Sequence, residues 1–240
     1  MGGVLLQAAL NGPFAKDLHP KLPVSAQELA RDAAACVAAG AQAIHLHPRD
    51  DDGAERLDAQ VVDAVVAAVR DACGVPVGVS TGAWIEPDLG RRLELMAGWG
   101  APDYASVNLS EEGAADAMQT LLDAGVGIEA GVWSVEDAER LAGGLGDRVT
   151  RVLIEPVDVS AGDAVALVDE IHATLDRLGL SAPRLQHGDG EATWVLLRDA
   201  IRRGIDTRIG LEDTVDGPDG ARADGNEALV RAARGLGAGS

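Results

Sequence analysis

Eight short apolar segments alternate with eight segments of helical spacing along the whole chain. The apolar segments are residues 4–10, 42–47, 75–80, 104–108, 127–133, 151–155, 183–187 and 207–211. The segments with helical spacing are residues 25–39, 61–72, 89–96, 114–124, 135–142, 163–178, 192–203 and 227–236. Because a strand that is followed by a helix normally returns as a parallel strand, this alternation predicts a parallel sheet with helical crossovers.

Eight such units in 240 residues predict a (β/α)8 TIM barrel, since this fold typically takes about 250 residues. A doubly wound open sheet is the second interpretation. It usually needs fewer units, and no Gly-X-Gly-X-X-Gly motif follows the first strand. No linker or low-complexity segment divides the chain. We therefore expect a single TIM-barrel domain over residues 1–240.

The composition narrows the possible partners of the chain. Its formal net charge of −19 argues against nucleic-acid binding, which needs Lys and Arg to neutralise phosphates. No apolar run reaches the ~20 residues of a membrane span, and the first residues lack the basic region of a signal peptide. Cys36 and Cys73 have no CxxC spacing and indicate a reducing compartment. We expect a cytoplasmic protein that binds neither nucleic acid nor a membrane.

Two histidines in the second predicted strand carry the strongest chemical signal. His45 and His47 are two residues apart, so their side chains point to the same face of a strand. Their Cα atoms are then about 6.6 Å apart, and both imidazoles can reach one ion. A catalytic zinc site needs a third protein ligand. Glu212, at the end of the eighth predicted strand, is the best candidate, with Glu129, Glu155 and His187 as competitors.

Other polar residues follow the predicted strands at the end where TIM barrels carry their active sites. Besides the ligand candidates they are Asn11, Ser80, Thr81, Ser106, Asn108, Arg208 and Asp213. Burying so many polar groups is costly unless they are paired or bind a ligand. The sequence leaves His187 open between an acid/base role in the pocket and a turn residue. It favours core packing over a pocket wall for Trp84, Trp133 and Trp194.

Several segments, in order along the chain, resemble the β-keto acid cleavage enzymes. The most specific are residues 40–53 (GAQAIHLHPRDDDG) and residues 210–214 (GLEDT). Shorter matches are residues 8–12 (AALNG), 22–23 (LP), 80–82 (STG), 105–108 (ASVN) and 225–230 (GNEALV). The resemblance covers the chain from end to end and implies a short and divergent member of that family.

The resemblance implies an acyl-transferring, C–C bond-cleaving enzyme on a TIM barrel. Such an enzyme condenses a β-keto acid with acetyl-CoA, giving acetoacetate and a new acyl-CoA. By resemblance, His45, His47 and Glu212 bind a divalent metal, usually zinc, and the enzyme forms a homo-oligomer. Asp213 matches the general base, Arg208 the arginine that positions it, and Ser80 a substrate-contacting serine. The further residues expected to bind substrate are Asn11, Thr81, Gly82, Ser106 and Asn108.

The sequence also departs from the family pattern in the loops that bind substrate and CoA. Phe14 stands where a glutamate is expected, so no contact with a substrate amine is expected at that position. The loops after the fourth and sixth strands are replaced by residues 109–113 (LSEEG) and 155–158 (EPVD), and the carboxylates of Glu155 and Asp158 would repel phosphates. Two alternatives therefore remain, a metal-dependent lyase or aldolase that works without CoA and a non-catalytic metal-binding barrel.

Overall fold

The computed structural model describes residues 3–239 as a closed barrel of eight parallel strands in chain order. The strands are β1 Leu6–Ala9, β2 Ala43–Leu46, β3 Val77–Ser80, β4 Tyr104–Asn108, β5 Gly127–Val132, β6 Arg151–Ile154, β7 Arg184–Gln186 and β8 Asp206–Ile209. The helices that follow them are α1 Ala26–Ala39, α2 Ala59–Cys73, α3 Leu89–Met96, α4 Ala114–Asp123, α5 Val135–Ala142, α6 Ala164–Arg177, α7 Thr193–Arg203 and α8 Asn226–Leu236. The predicted (β/α)8 TIM barrel is confirmed.

The helices pack on the barrel through apolar stripes of small aliphatic side chains. In α2, four buried valines at positions 62, 65, 66 and 69 follow the 3.6-residue period of one helix face. At the start of α1, Ser25 and Glu28 form a capping box, and Gly40 ends the helix in the left-handed region at φ 119°. These local signals fix where the first crossover helix begins and ends. No helix within residues 3–239 is long and apolar enough to span a membrane.

Six of the eight strands end earlier than the sequence predicts, the exceptions being β3 and β4, and the difference matters most at β8. The apolar run 207–211 suggested that Glu212 closes this strand, but β8 ends at Ile209 and residues 211–213 form a turn. The turn is fixed by backbone bonds from Asp213 N and Thr214 N to the Gly210 carbonyl oxygen, both 3.0 Å long. A Cβ at Gly210 would lie 1.7 Å from the Ala9 carbonyl oxygen, so only glycine allows this close approach to β1.

Candidate active site

The three predicted metal ligands meet at the carboxyl-terminal end of the barrel. His45 lies in β2, His47 follows the end of that strand, and Glu212 lies in the turn after β8. Nε2 of His45 is 3.4 Å and Nε2 of His47 is 3.5 Å from Oε1 of Glu212. One ligand atom from each residue lies within 4.8 Å of the others. The barrel thus brings two imidazoles and one carboxylate from distant parts of the sequence to one point.

The donor set and its spacing fit a divalent ion such as zinc. Ligand atoms at 2.0–2.1 Å from a tetrahedral ion are separated by about 3.4 Å, which matches the two nitrogen–oxygen separations at Glu212. Oε2 of Glu212 is buried and has no hydrogen-bond partner, although buried polar atoms normally have one. His45, His47 and Glu212 would hold the ion, and three protein ligands would leave a position open for substrate.

Two buried asparagines hold the backbone that carries these ligands. The Asn11 side chain accepts a hydrogen bond from the backbone N–H of His47 (2.9 Å) and donates one to its carbonyl oxygen (3.0 Å). Asn226, the first residue of α8, accepts from Leu211 N (2.7 Å) and donates to Leu10 O (2.8 Å). Asn226 therefore bridges the ends of β1 and β8 directly before Asn11 and Glu212. Residues 225–230 are among the segments that resemble the family, but the sequence alone indicates no role for Asn226.

The carboxylate of Asp32 in α1 completes this bridge by accepting a 2.6 Å hydrogen bond from Asn226 Nδ2. Burial raises the pKa of Asp32 from 3.8 to about 6, against the opposing effect of the Asn226 bond. The folded state therefore keeps a proton that the unfolded chain has released by about pH 5. The contribution of Asp32 to the free energy of unfolding is therefore highest below the pKa of the unfolded state and falls as the pH rises through the pKa of the folded state.

Asp32→Asn is expected to gain stability relative to the wild type between pH 4 and pH 7.5, because the asparagine has no proton to lose. Two pKa units correspond to about 3 kcal/mol, and solvent screening of this half-buried group reduces the expected gain to about 1–2 kcal/mol. Urea unfolding of both proteins at the two pH values measures it. An unfolding free-energy difference that is the same at pH 4 and pH 7.5 would refute this assignment.

The carboxylate of Glu55, which the sequence did not indicate as a site residue, contacts Nδ1 of His47, the ring nitrogen that is not directed at Glu212. Oε1 of Glu55 lies 2.5 Å from His47 Nδ1, and Oε2 of Glu55 accepts a 3.2 Å hydrogen bond from Trp84 Nε1. Burial lowers the pKa of His47, but the Glu212 and Glu55 carboxylates outweigh it and raise that pKa to about 9. A bound cation would displace this proton, since a ligating imidazole must be neutral at the metal-binding nitrogen.

Arg208 and Asp213 form a buried pair beside the ligand cluster. Nη2 of Arg208 donates to Asp213 Oδ1 at 2.7 Å and to Glu212 Oε1 at 2.9 Å. Burial raises the pKa of Asp213 above its usual value and outweighs the opposing effect of Arg208. Oδ2 of Asp213 has no partner, which leaves one oxygen of a pKa-raised carboxylate free to accept a proton.

His187 lies between two carboxylates of the site. The ring is fully buried, with Nδ1 3.5 Å from Asp213 Oδ1 and Nε2 3.6 Å from Glu155 Oε1. Burial raises the pKa of Glu155, but the charges of His187 and Arg208 dominate and lower it to about 2. Of the two interpretations of His187, the structure favours the one that places it in the site. Within residues 3–239, Glu155, Glu129 and His187 are not part of the metal-ligand cluster.

A cavity of about 210 Å³ opens above the cluster. Three of the predicted substrate-binding residues line it, namely Ser80, Ser106 and Asn108. Thr81 and Gly82 instead support the wall, because Thr81 Oγ1 donates to Ser106 O (2.7 Å) and Gly82 N donates to Ser80 Oγ (3.2 Å). Trp84 and Trp133 line the cavity as well. The preference for core packing was therefore wrong for these two residues, whereas Trp194 is 9% exposed and lines a neighbouring groove.

The neighbouring groove has a volume of about 500 Å³ and is strongly acidic. It shares the lining residues Phe14, Asp189, Glu212 and Asp213 with the cavity, so the two lie side by side. Its charged lining residues are Asp189, Glu191, Glu212, Asp213 and Asp216. None of the lining residues is Lys or Arg. A larger cavity of about 640 Å³, beside Arg184 and Asp206, lies at the opposite end of the barrel, away from the metal-ligand cluster.

The sequence model of the beta-keto acid cleavage enzyme family matches residues 3–239. The chain belongs to this family. The predicted family resemblance is confirmed.

Two named relatives match part of the chain. The 3-keto-5-aminohexanoate cleavage enzyme of Fusobacterium nucleatum subsp. nucleatum is 36% identical over 84 residues, which are 34% of this chain and 31% of the relative. The enzyme of the same name from Acetoanaerobium sticklandii is 34% identical over 74 residues, which are 30% of this chain and 27% of the relative. The matched segments thus span less than a third of these relatives, and their activity is carried to this chain only as a proposal.

Among solved structures, a binary complex of ObcA with oxaloacetate has a TM-score of 0.70. The alignment covers 91% of this chain and 65% of that one at 19% identity. At this identity, the similarity supports the barrel fold alone.

Proposed function

We propose that this protein is a metal-dependent β-keto acid cleavage enzyme that condenses a β-keto acid with acetyl-CoA to give acetoacetate and a new acyl-CoA. The observation that carries the proposal is the juxtaposition of the His45–His47–Glu212 cluster with the free Oδ2 atom of Asp213. Metal binding alone would need neither Arg208 nor Asp213, and this speaks against a non-catalytic barrel. Family membership supports the same reaction class.

The residues of the chain have separable roles in this reaction. When bound, the divalent ion would act as a Lewis acid on the substrate keto oxygen. Asp213 takes the activated proton from the carbon between the keto and carboxylate groups, and returns it to the departing acetoacetate. Arg208 holds Asp213 through Oδ1, so that Oδ2 faces the reaction. Ser80, Ser106 and Asn108 supply polar contacts for the substrate oxygens, while Asn11, Thr81 and Gly82 keep the walls in place.

A second candidate is cleavage of the C–C bond without CoA, as in a metal-dependent lyase or aldolase. The observation that favours it is the acidic groove beside the cavity, where Asp189, Glu191 and Asp216 are joined by no lining Lys or Arg. Phosphates of CoA would be repelled there by the carboxylates. Under the acetyl-CoA proposal, the cofactor must therefore approach the cavity by another route. For either reaction we propose a cytoplasmic homo-oligomer as the working form of the protein.

Steady-state assays against a panel of β-keto acids, with and without acetyl-CoA, test the proposal. We expect turnover that depends on acetyl-CoA and yields equal amounts of acetoacetate and acyl-CoA. Turnover that is unchanged when acetyl-CoA is omitted would establish the second candidate instead. If the metal-loaded protein consumes no member of the panel under either condition, both candidates are wrong.

A further inference from the structure

We propose that Glu55 is a positioning residue that joins the metal ligand His47 and the cavity wall Trp84 into one unit. The inference rests on the proposed metal site, and it concerns a residue that the family resemblance does not mark. Its consequence is that the strength of metal binding and the shape of the substrate cavity are not independent in this protein.

The two oxygens of the Glu55 carboxylate each receive a different donor. Oε1 is 2.5 Å from His47 Nδ1, and Oε2 is 3.2 Å from Trp84 Nε1. The side chain is 12% exposed, so water competes little for these bonds. A carboxylate offers acceptors on both sides, whereas an amide offers one acceptor and one donor. Replacement by glutamine must therefore break one of the two bonds, or turn an N–H group against an N–H group.

The loop after β2 fixes the backbone from which Glu55 reaches the site. Arg49 and Glu55 face each other across an antiparallel bridge, which closes residues 49–55 into a hairpin-like loop. The Arg49 guanidinium donates to the carbonyl oxygens of Gly12 and Phe14, both at 2.7 Å, and to that of Gly53 at 2.9 Å. These bonds tie the loop to the segment after β1. Glu55 is therefore presented by a rigid platform, as a positioning residue requires.

Trp84 needs such a tether because it is not fixed by burial. It is 49% exposed, although it lines the cavity and stacks on the His47 ring with centroids 6.1 Å apart and planes at 21°. The indole also packs on Gly82, where a Cβ would lie 2.2 Å from the ring. The hydrogen bond to Glu55 sets the orientation of this exposed ring over the metal ligand. His47, Glu55 and Trp84 thus form a continuous wall from the metal to the mouth of the cavity.

Glu55→Gln and Trp84→Phe, singly and together, test this unit. We expect Glu55→Gln to weaken Zn²⁺ binding about 10- to 100-fold in a chelator competition, as for other residues that orient a metal-binding histidine. Quenching of tryptophan fluorescence by acrylamide should rise, because the Trp84 ring is released. Trp84→Phe removes the N–H donor together with one ring of the indole, and should raise KM by about 2- to 10-fold or more, because one lost hydrogen bond alone accounts for that range. Glu55→Gln should raise KM as well, because it breaks the same hydrogen bond to Trp84, and the two effects on KM should be less than additive in the double variant.

The matched control is Asp52→Asn, which removes one negative charge from an exposed position of the same loop. This variant should bind Zn²⁺ and respond to acrylamide like the wild type. The proposal is overturned if Glu55→Gln leaves either Zn²⁺ affinity or quenching unchanged, if Trp84→Phe leaves KM unchanged, or if the two effects on KM add. A wild-type protein that does not bind Zn²⁺ at all would instead count against the proposed function.

Discussion

Asp213→Asn is expected to lower turnover by about 10²- to 10⁴-fold, the usual cost of removing a general base. The substitution keeps the shape of the side chain and an oxygen that can accept from Arg208, but it removes the atom that takes the substrate proton. Metal content and far-UV circular dichroism should stay at wild-type values, because Asp213 is not one of the cluster ligands. Steady-state kinetics on the best β-keto acid substrate measure the effect.

The matched control for this experiment is Asp189→Asn. Asp189 also lines the cavity, but its side chain is exposed. Arg208 acts on Asp189 only through its charge and forms no hydrogen bond with it. We expect its kcat to change far less than that of Asp213→Asn. Near wild-type turnover in Asp213→Asn would move the base to another residue, with Glu155 and His187 next in line because both adjoin the same cluster.

The double substitution His45→Ala/His47→Ala is expected to abolish metal binding. It removes both imidazoles of the cluster and leaves Glu212 as a single carboxylate paired with Arg208. Elemental analysis of chelator-free wild-type protein should give about one metal per chain, and the double variant should give close to none. Activity is expected to disappear with the metal.

His187→Asn is the control for this second prediction. His187 is buried in the same site, but neither of its nitrogens belongs to the ligand cluster. It should therefore keep the wild-type metal content. Unchanged metal content in the His45→Ala/His47→Ala variant would show that the ion, if present, is bound elsewhere.

The fold could be predicted because its signals are local and repeated. Each strand–helix unit has an apolar run followed by a segment of helical period. Some units also have a helix cap, such as Ser25 with Glu28. The ligands could be predicted for a related reason. In parallel barrels the carboxyl ends of all strands lie on one face, so polar residues at the ends of β2 and β8 must lie near one another. The parallel strand order thus predicts which polar residues come together in the site.

The supporting residues could not be predicted because their contacts depend on irregular backbone. Asn226 bonds to Leu10, 216 positions away, and no periodicity links the two. Glu55 lies only eight positions from His47, but it reaches the ring through a loop whose path is set by Arg49. Trp84 is aromatic and was assigned to the core, since the sequence does not show that Glu55 holds it at the surface. The one sequence signal for Glu55 is that it is a carboxylate eight positions after the second histidine of a His-X-His strand, where it could orient a metal-binding imidazole.

The most direct test of metal-dependent catalysis at this cluster is turnover measured as a function of bound metal. Chelator-treated protein would be titrated with Zn²⁺, and the rate on the best β-keto acid followed together with metal content. We predict no turnover without metal, a rise in proportion to occupancy, and a plateau at about one ion per chain. Full turnover by the metal-free protein would contradict the account.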